Sequence, residues 1–196
     1  MKKILATHMF FLVIVAGLRY FDLQGPNLAW NMVLALASLD MMWLAVYVKQ
    51  KWLSLMFLIL WFFFYPNTFY MVTDIVHMHF VGSVLHNPES MKAFMLYVSS
   101  IFFGVMTGLE GVSLLMAKFP IKNFWLRGLF FSLLSLVSSL AIHIGRYARL
   151  NSWDIFTRPL VVVDEILAVI SREALVFVLG FTCLQVMCLV MLDKNR

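Results

Sequence analysis

The sequence predicts an all-α, polytopic membrane helix bundle of about six transmembrane helices, with a kinked or broken third helix. Three observations carry that prediction. Of the 196 residues, 63% are hydrophobic and 13% charged, with a mean hydropathy of +0.91, which leaves too little polar surface to cover a water-soluble core. The apolar residues are gathered into runs close to the ~20 residues that an α-helix needs to cross the hydrocarbon layer. The basic residues stand in short clusters at the ends of those runs, where head groups and cytoplasmic loops hold Lys and Arg. The net charge of +5 therefore points to membrane lipids as partners and excludes nucleic acid.

The crossings fall at about 4–21, 27–48, 52–72, 92–117, 124–146 and 170–192, forming one integral membrane domain over 1–196. Lys2-Lys3 ahead of ILATHMFFLVIVAGL has the outline of a signal peptide, but no small-x-small cleavage site follows, so an uncleaved first helix is expected. The second helix opens with Asn27 and Asn31 and carries Asp40 in its interior. In the third, the clean apolar part from Trp52 to Tyr65 is too short to span, so the helix must run on through Pro66, where a kink or break is expected. The fourth carries Glu110 among Gly104, Gly108 and Gly111, a small-residue face for close packing. Glu110 reads as a proton carrier or as an acid bonded to a neighbouring helix, and Asp40, at comparable depth, can face it. Between Arg149 and Ser171 the chain is apolar yet holds Asp154, Arg158, Pro159, Asp164 and Glu165, which fits an interfacial or re-entrant segment better than a seventh span. Cys183 and Cys188, in the last run, are off each other's helical face and read as packing residues. His8 and His79, near span ends, read as interface residues.

Counting cations orients the chain in the plasma membrane. With the N-terminus in the cytoplasm, the inner segments hold Lys2, Lys3, Lys49, Lys51, Lys118, Lys122, Arg127, Lys194 and Arg196, against Arg19, Lys92, Arg146, Arg149, Arg158 and Arg172 outside. That bias favours both termini in the cytoplasm. Two polar stretches then end on the outer face.

The first is Trp61 to His79, WFFFYPNTFYMVTDIVHMH, where a greasy run acquires Pro66, Asn67, Tyr70, Thr73, Asp74 and His77. Polar groups are expensive in a bilayer and turn to a cavity or a bundle interior. At α-helical spacing Asn67, Tyr70, Asp74 and His77 share a face. A carboxylate and an imidazole three residues apart can pass a proton, join in binding a metal, or receive a cation. A metal needs three or four protein ligands, to be drawn from His79, His86, His143 or Glu173, so the metal and any cofactor stay open. The plainer reading pairs Asp74 with Arg146 or Arg149 to fix the bundle.

The second stretch is Gly145 to Asp154, GRYARLNSWD. Arg146 and Arg149 share a helical face and can grip a phosphate or carboxylate through forked hydrogen bonds. Asn151, Trp153 and Asp154 stand where the rest of a head group is read. The plainer alternative is an interfacial anchor with snorkelling arginines. Walker A, G-x-S-x-G, H-E-x-x-H and C-x-x-C motifs do not occur.

Asn27 to Asn31, Tyr65 to His77 and Gly145 to Asp154 together resemble the bacterial multi-pass membrane family catalogued as domain of unknown function 1361. The resemblance runs from the second helix to the segment after the fifth. It implies an integral bacterial membrane protein with these stretches as shared polar features, and it transfers no activity. The reading that follows is an outer-face pocket joining Asn67, Tyr70, Thr73, Asp74 and His77 to Arg146, Arg149, Asn151, Trp153 and Asp154. Such a pocket takes a polar or anionic group such as a lipid head group or lipid-linked substrate, with Asp74 and His77 as acid, base or metal ligands. The alternatives are a small-solute or ion transporter with a discontinuous third helix, and a non-catalytic accessory protein.

Overall fold

The computed structural model describes residues 2–23, 27–148, 150, 154–168 and 172–193. Among the described residues the chain is helical and has no strand: α1 (Lys2–Tyr20), α2 (Leu28–Tyr47), α3 (Lys51–Tyr70), a 3₁₀ segment (Met71–Val81), α4 (Pro88–Lys118), α5 (Phe124–Tyr147), α6 (Asp154–Thr157), α7 (Pro159–Ala168) and α8 (Arg172–Met191). Six of these stretches are long and apolar enough to cross a membrane. They match the six expected crossings, with ends moved by a few residues, and mark a multi-pass membrane protein. The chain divides into two compact units, Met1–Gly111 and Val112–Arg196.

The helix boundaries follow from local chemistry. The Asn27 side chain accepts from the Trp30 amide at 3.2 Å and caps α2. Asn123 accepts from the amides of Trp125 at 2.9 Å and Leu126 at 3.1 Å and caps α5. Asn87 takes the Glu89 amide at 2.9 Å ahead of Pro88, the first residue of α4. Pro120, which cannot continue a helix, follows the end of α4 at Lys118. The α2–α3 turn is closed by the Ser54 hydroxyl donating to the Ala45 carbonyl at 2.6 Å.

In the first unit the core joins Leu18, Leu28, Met32, Ala35, Leu36, Met71, Tyr97, Ile101 and Phe103. Outward from it stand Leu5, Phe10 and Val13 on α1 and Leu55, Ile59 and Phe62 on α3, all exposed. In a bilayer such side chains are solvated by lipid tails, so they carry no penalty.

In the second unit α5 and α8 run antiparallel. Ile144 packs with Ala174 and Val178 at one end, and the Gln185 amide donates to Ser139 Oγ at 2.7 Å and the Ser135 carbonyl at 3.4 Å towards the middle. At the far end Arg127 Nη1 meets Asp193 Oδ2 at 2.7 Å. Cys183 and Cys188 are free thiols on α8.

The third span departs from expectation in one respect. The α-helix does not break at Pro66 but continues to Tyr70, and the chain then winds as a 3₁₀ helix from Met71 to Val81. Proline removes the amide that would bond the Phe62 carbonyl. The turn around it is braced by side chains: Asn67 Nδ2 donates to the Phe64 carbonyl at 3.1 Å and Thr68 Oγ1 to the Tyr65 carbonyl at 2.7 Å. At the junction, Thr73 Oγ1 donates to the Tyr70 carbonyl at 2.6 Å. Gly82, at φ +76°, ends the 3₁₀ run in a conformation that glycine adopts freely.

Candidate functional site

Eleven residues of 3₁₀ helix is a long run for a conformation normally seen in three or four. With three residues per turn, Met71, Asp74 and His77 come to lie above one another. Met71 and Asp74 are fully buried and His77 half-buried, so this stripe faces the protein, while Ile75 and Val76 stand exposed. The expected α-helical face of Asn67, Tyr70, Asp74 and His77 is therefore divided. Asn67 and Tyr70 end the α register, and Asp74 and His77 share a face through the tighter 3₁₀ repeat.

Asp74 is the polar centre of the first unit. Its Oδ2 accepts from Asn31 Nδ2 at 2.9 Å, and its backbone carbonyl accepts from the Tyr97 hydroxyl at 2.5 Å. Asn31 lies one turn into α2, which the Asn27 cap starts, and Tyr97 comes from α4. Two helices, α2 and α4, thus converge on one residue of the 3₁₀ segment. A buried carboxylate loses its hydration, so a donor such as Asn31 is needed to hold it. Thr73, beside it, is also buried, with its hydroxyl turned to Tyr70.

Gly104 and Gly108 on α4 make this approach feasible. A Cβ at Gly104 would lie 2.6 Å from the Thr68 carbonyl oxygen and 2.7 Å from Met71 Sδ, and one at Gly108 would collide with Thr68 Oγ1. The small-residue face noted in the sequence is therefore the surface on which the α-to-3₁₀ junction rests.

The acids assigned to deeper work have other partners. Glu110 is bonded through both carboxylate oxygens to Lys3 Nζ at 3.1 Å, level with the start of α1. Asp40 Oδ2 lies 3.3 Å from His8 Nε2. His8, expected as an interface residue, stands between Asp40 and the Ile4 carbonyl, 2.9 Å from Nδ1. The spacing of these residues gave no sign of either pairing, because α1 supplies the partner in both.

The second motif is placed in part. Arg146 is half-buried in the last turn of α5, where a cation suits the negative end of the helix dipole. Asp154 is buried, and its Oδ1 accepts from Arg158 Nη2 at 2.9 Å, Arg158 Nε at 3.2 Å and Thr157 Oγ1 at 3.2 Å. Arg149, Asn151 and Trp153 lie outside the described residues, as do the side chains of His79 and Glu173. His143 stacks on Tyr147, with centroids 4.5 Å apart, and touches Phe177 at 5.5 Å. Among the described residues no three of His, Cys, Asp and Glu gather as a metal site.

Sequence reasoning missed Tyr97 and Gln185. Nothing marks Tyr97 in advance. Gln185 had a signal, being a lone amide in an otherwise apolar α8, and its full burial against Ser135 and Ser139 is the polar contact that such a residue makes between membrane helices.

A family model described as "Protein of unknown function (DUF1361)" matches residues 30–188, a range that starts within α2 and leaves α1 outside. Comparisons with curated proteins and with solved structures found no match.

Proposed function

The chain belongs to the family described as protein of unknown function (DUF1361), and from that premise we propose that it binds a polar or anionic group, such as a lipid head group, with Asp74 and His77 acting on that group as an acid–base pair. In this reading it is a bacterial plasma-membrane protein with both termini in the cytoplasm and Asp74 towards the extracytoplasmic side. The observation that carries it is the fully buried Asp74, oriented by Asn31 and by the Tyr97 hydroxyl on its own backbone. A carboxylate is costly inside a membrane protein and is kept there for a purpose. His77, one 3₁₀ turn on and half-buried, gives a substrate access to an imidazole whose carboxylate neighbour is fixed. In the sequence of the second unit, Arg146 and Arg149 stand three residues apart, and guanidinium groups suit a phosphate or carboxylate.

The test uses purified protein reconstituted with bacterial lipids, following bound lipid by native mass spectrometry and lipid conversion over time. Asp74→Asn keeps the shape but cannot carry the proton. It is expected to elute as the parent does, retain bound lipid, and lose turnover by ~100-fold or more, the scale of general acid–base catalysis. A parent protein that holds no polar ligand, or an Asp74→Asn variant that works equally well, refutes the reading.

A transporter reading has one observation of its own, the change from α to 3₁₀ winding at Tyr70–Met71, since interrupted helices frame substrate sites in many carriers. Solute uptake into vesicles that Asp74→Asn abolishes, with no lipid converted, would select it. If neither lipid conversion nor uptake is seen, and exchanging Asp74 and Asn31 restores what Asp74→Asn loses, the accessory reading stands.

A further inference from the structure

The segment between α5 and α8 has a use that its length and pattern define. α7 runs for ten residues, Pro159–Ala168, or about 15 Å at the α-helical rise, half the hydrocarbon thickness of about 30 Å. It cannot cross. The antiparallel packing of α5 and α8, with Ile144 beside Ala174 and Val178, brings the end of one and the start of the other to the same membrane face. α7 joins them there, packed on α5. Its start is pinned by Arg158, whose guanidinium is held by the buried Asp154.

At 100° per residue, Leu160, Val162, Val163, Ile166 and Leu167 occupy an arc of about 160°. Asp164, Glu165 and Ala168 lie opposite, with Val161 among them. No residue of α7 is buried. Within the apolar arc Leu160 is 78% exposed, Leu167 60%, Val163 50% and Ile166 41%. A row of four large apolar side chains left uncovered, at the level where two spans leave the bilayer, faces lipid more favourably than water.

We propose that α7 is an interfacial helix, lying along the membrane surface with Leu160, Val163, Ile166 and Leu167 sunk in the boundary between head groups and acyl chains. Asp164 faces the water, and Glu165, half-buried, lies on the side of α7 within electrostatic reach of His143 on α5. Because the polar side is acidic, apolar burial drives the contact, and it does not depend on anionic lipid. This inference is independent of any role for Asp74.

Spin labels test it in the full chain carrying Cys183→Ser and Cys188→Ser. Single cysteines replace Leu160, Val163, Asp164, Leu167 or Ala168, and the protein is reconstituted in phosphatidylcholine vesicles with and without phosphatidylglycerol. Labels at 160, 163 and 167 are expected to be relaxed by oxygen and shielded from a water-soluble nickel chelate, and those at 164 and 168 the reverse, in both lipid mixtures. Three patterns overturn the proposal: chelate access at all five sites, oxygen preference at all five, or immobile spectra shielded from both reagents, as under a protein partner. A second measurement keeps the native cysteines: Leu167→Trp fluorescence should be quenched by lipids brominated near the head of the acyl chain. If only bromines at the chain ends quench it, the segment dips into the bilayer and the proposal fails.

Discussion

Replacing Gly104 by alanine is expected to destabilise the solubilised protein by about 1–3 kcal/mol or more, the cost of overpacking a rigid contact. The added Cβ would sit 2.6 Å from the Thr68 carbonyl oxygen, and a backbone atom inside a bonded helix cannot swing aside. α4 and α3 would have to part. Gly108→Ala meets Thr68 Oγ1, its Cβ at 3.0 Å and Phe69 Cε2 at 3.2 Å, so a comparable loss is expected there, eased only if the threonine changes rotamer. Gly128 on α5 is the control: a Cβ meets nothing within 4 Å, and Gly128→Ala should be neutral or stabilising by up to ~1 kcal/mol through helix propensity. Thermal unfolding followed by fluorescence in one detergent distinguishes them. Because Thr68 to Met71 is where α winding gives way to 3₁₀, Gly104→Ala should also disturb whatever depends on Asp74. Equal stability of Gly104→Ala and Gly128→Ala would mean that α4 does not lie where the glycines place it.

The spans were legible because the bilayer imposes a length and a composition that soluble folds do not, and Trp61 to His79 stood out for the same reason. Its winding was not legible. Pro66 announces the loss of one donor, but whether a helix breaks there depends on how the turn around it is held. The bonds that brace it, Asn67 on Phe64 and Thr68 on Tyr65, belong to side-chain geometry. Long-range pairing was out of reach for a different reason. Asn31 and Asp74 are 43 residues apart, and Lys3 and Glu110 are 107 apart; hydropathy says that each polar group needs company without saying whose. Periodicity assigned Asp74 and His77 to a common face correctly, though by the wrong repeat, since three residues is one turn of 3₁₀ helix and nearly one of α. Asp154 was read towards a ligand, and its pairing with Arg158, four residues on, was not foreseen.

Arg127→Met and Asp193→Asn are each expected to cost about 3–5 kcal/mol, the loss that follows when one member of a buried ion pair is removed. The side chains are only 12% and 9% exposed, with Nη1 and Oδ2 2.7 Å apart. Arg127 is also steered by its Nε bond to the Ile121 carbonyl at 3.0 Å. The helix ends sharpen the expectation. Arg127 lies in the first turn of α5, where the dipole disfavours a cation, and Asp193 lies just beyond the end of α8, where it disfavours an anion. Each charge is therefore badly placed alone and tolerable with the other. Removing either leaves a desolvated ion beside a helix end of its own sign, so the two single losses should be similar. Removing both, in Arg127→Met with Asp193→Asn, should restore a large part of the stability, because the desolvation of two charges is then avoided. Unfolding of the four proteins completes a double-mutant cycle. A coupling below ~1 kcal/mol, the range of exposed pairs, would show that water or head groups screen the pair and that the ends of α5 and α8 are joined by packing alone. A large coupling that persists at high salt identifies the pair as the clasp closing the second unit at the end opposite α7, since ions buried this far are poorly screened.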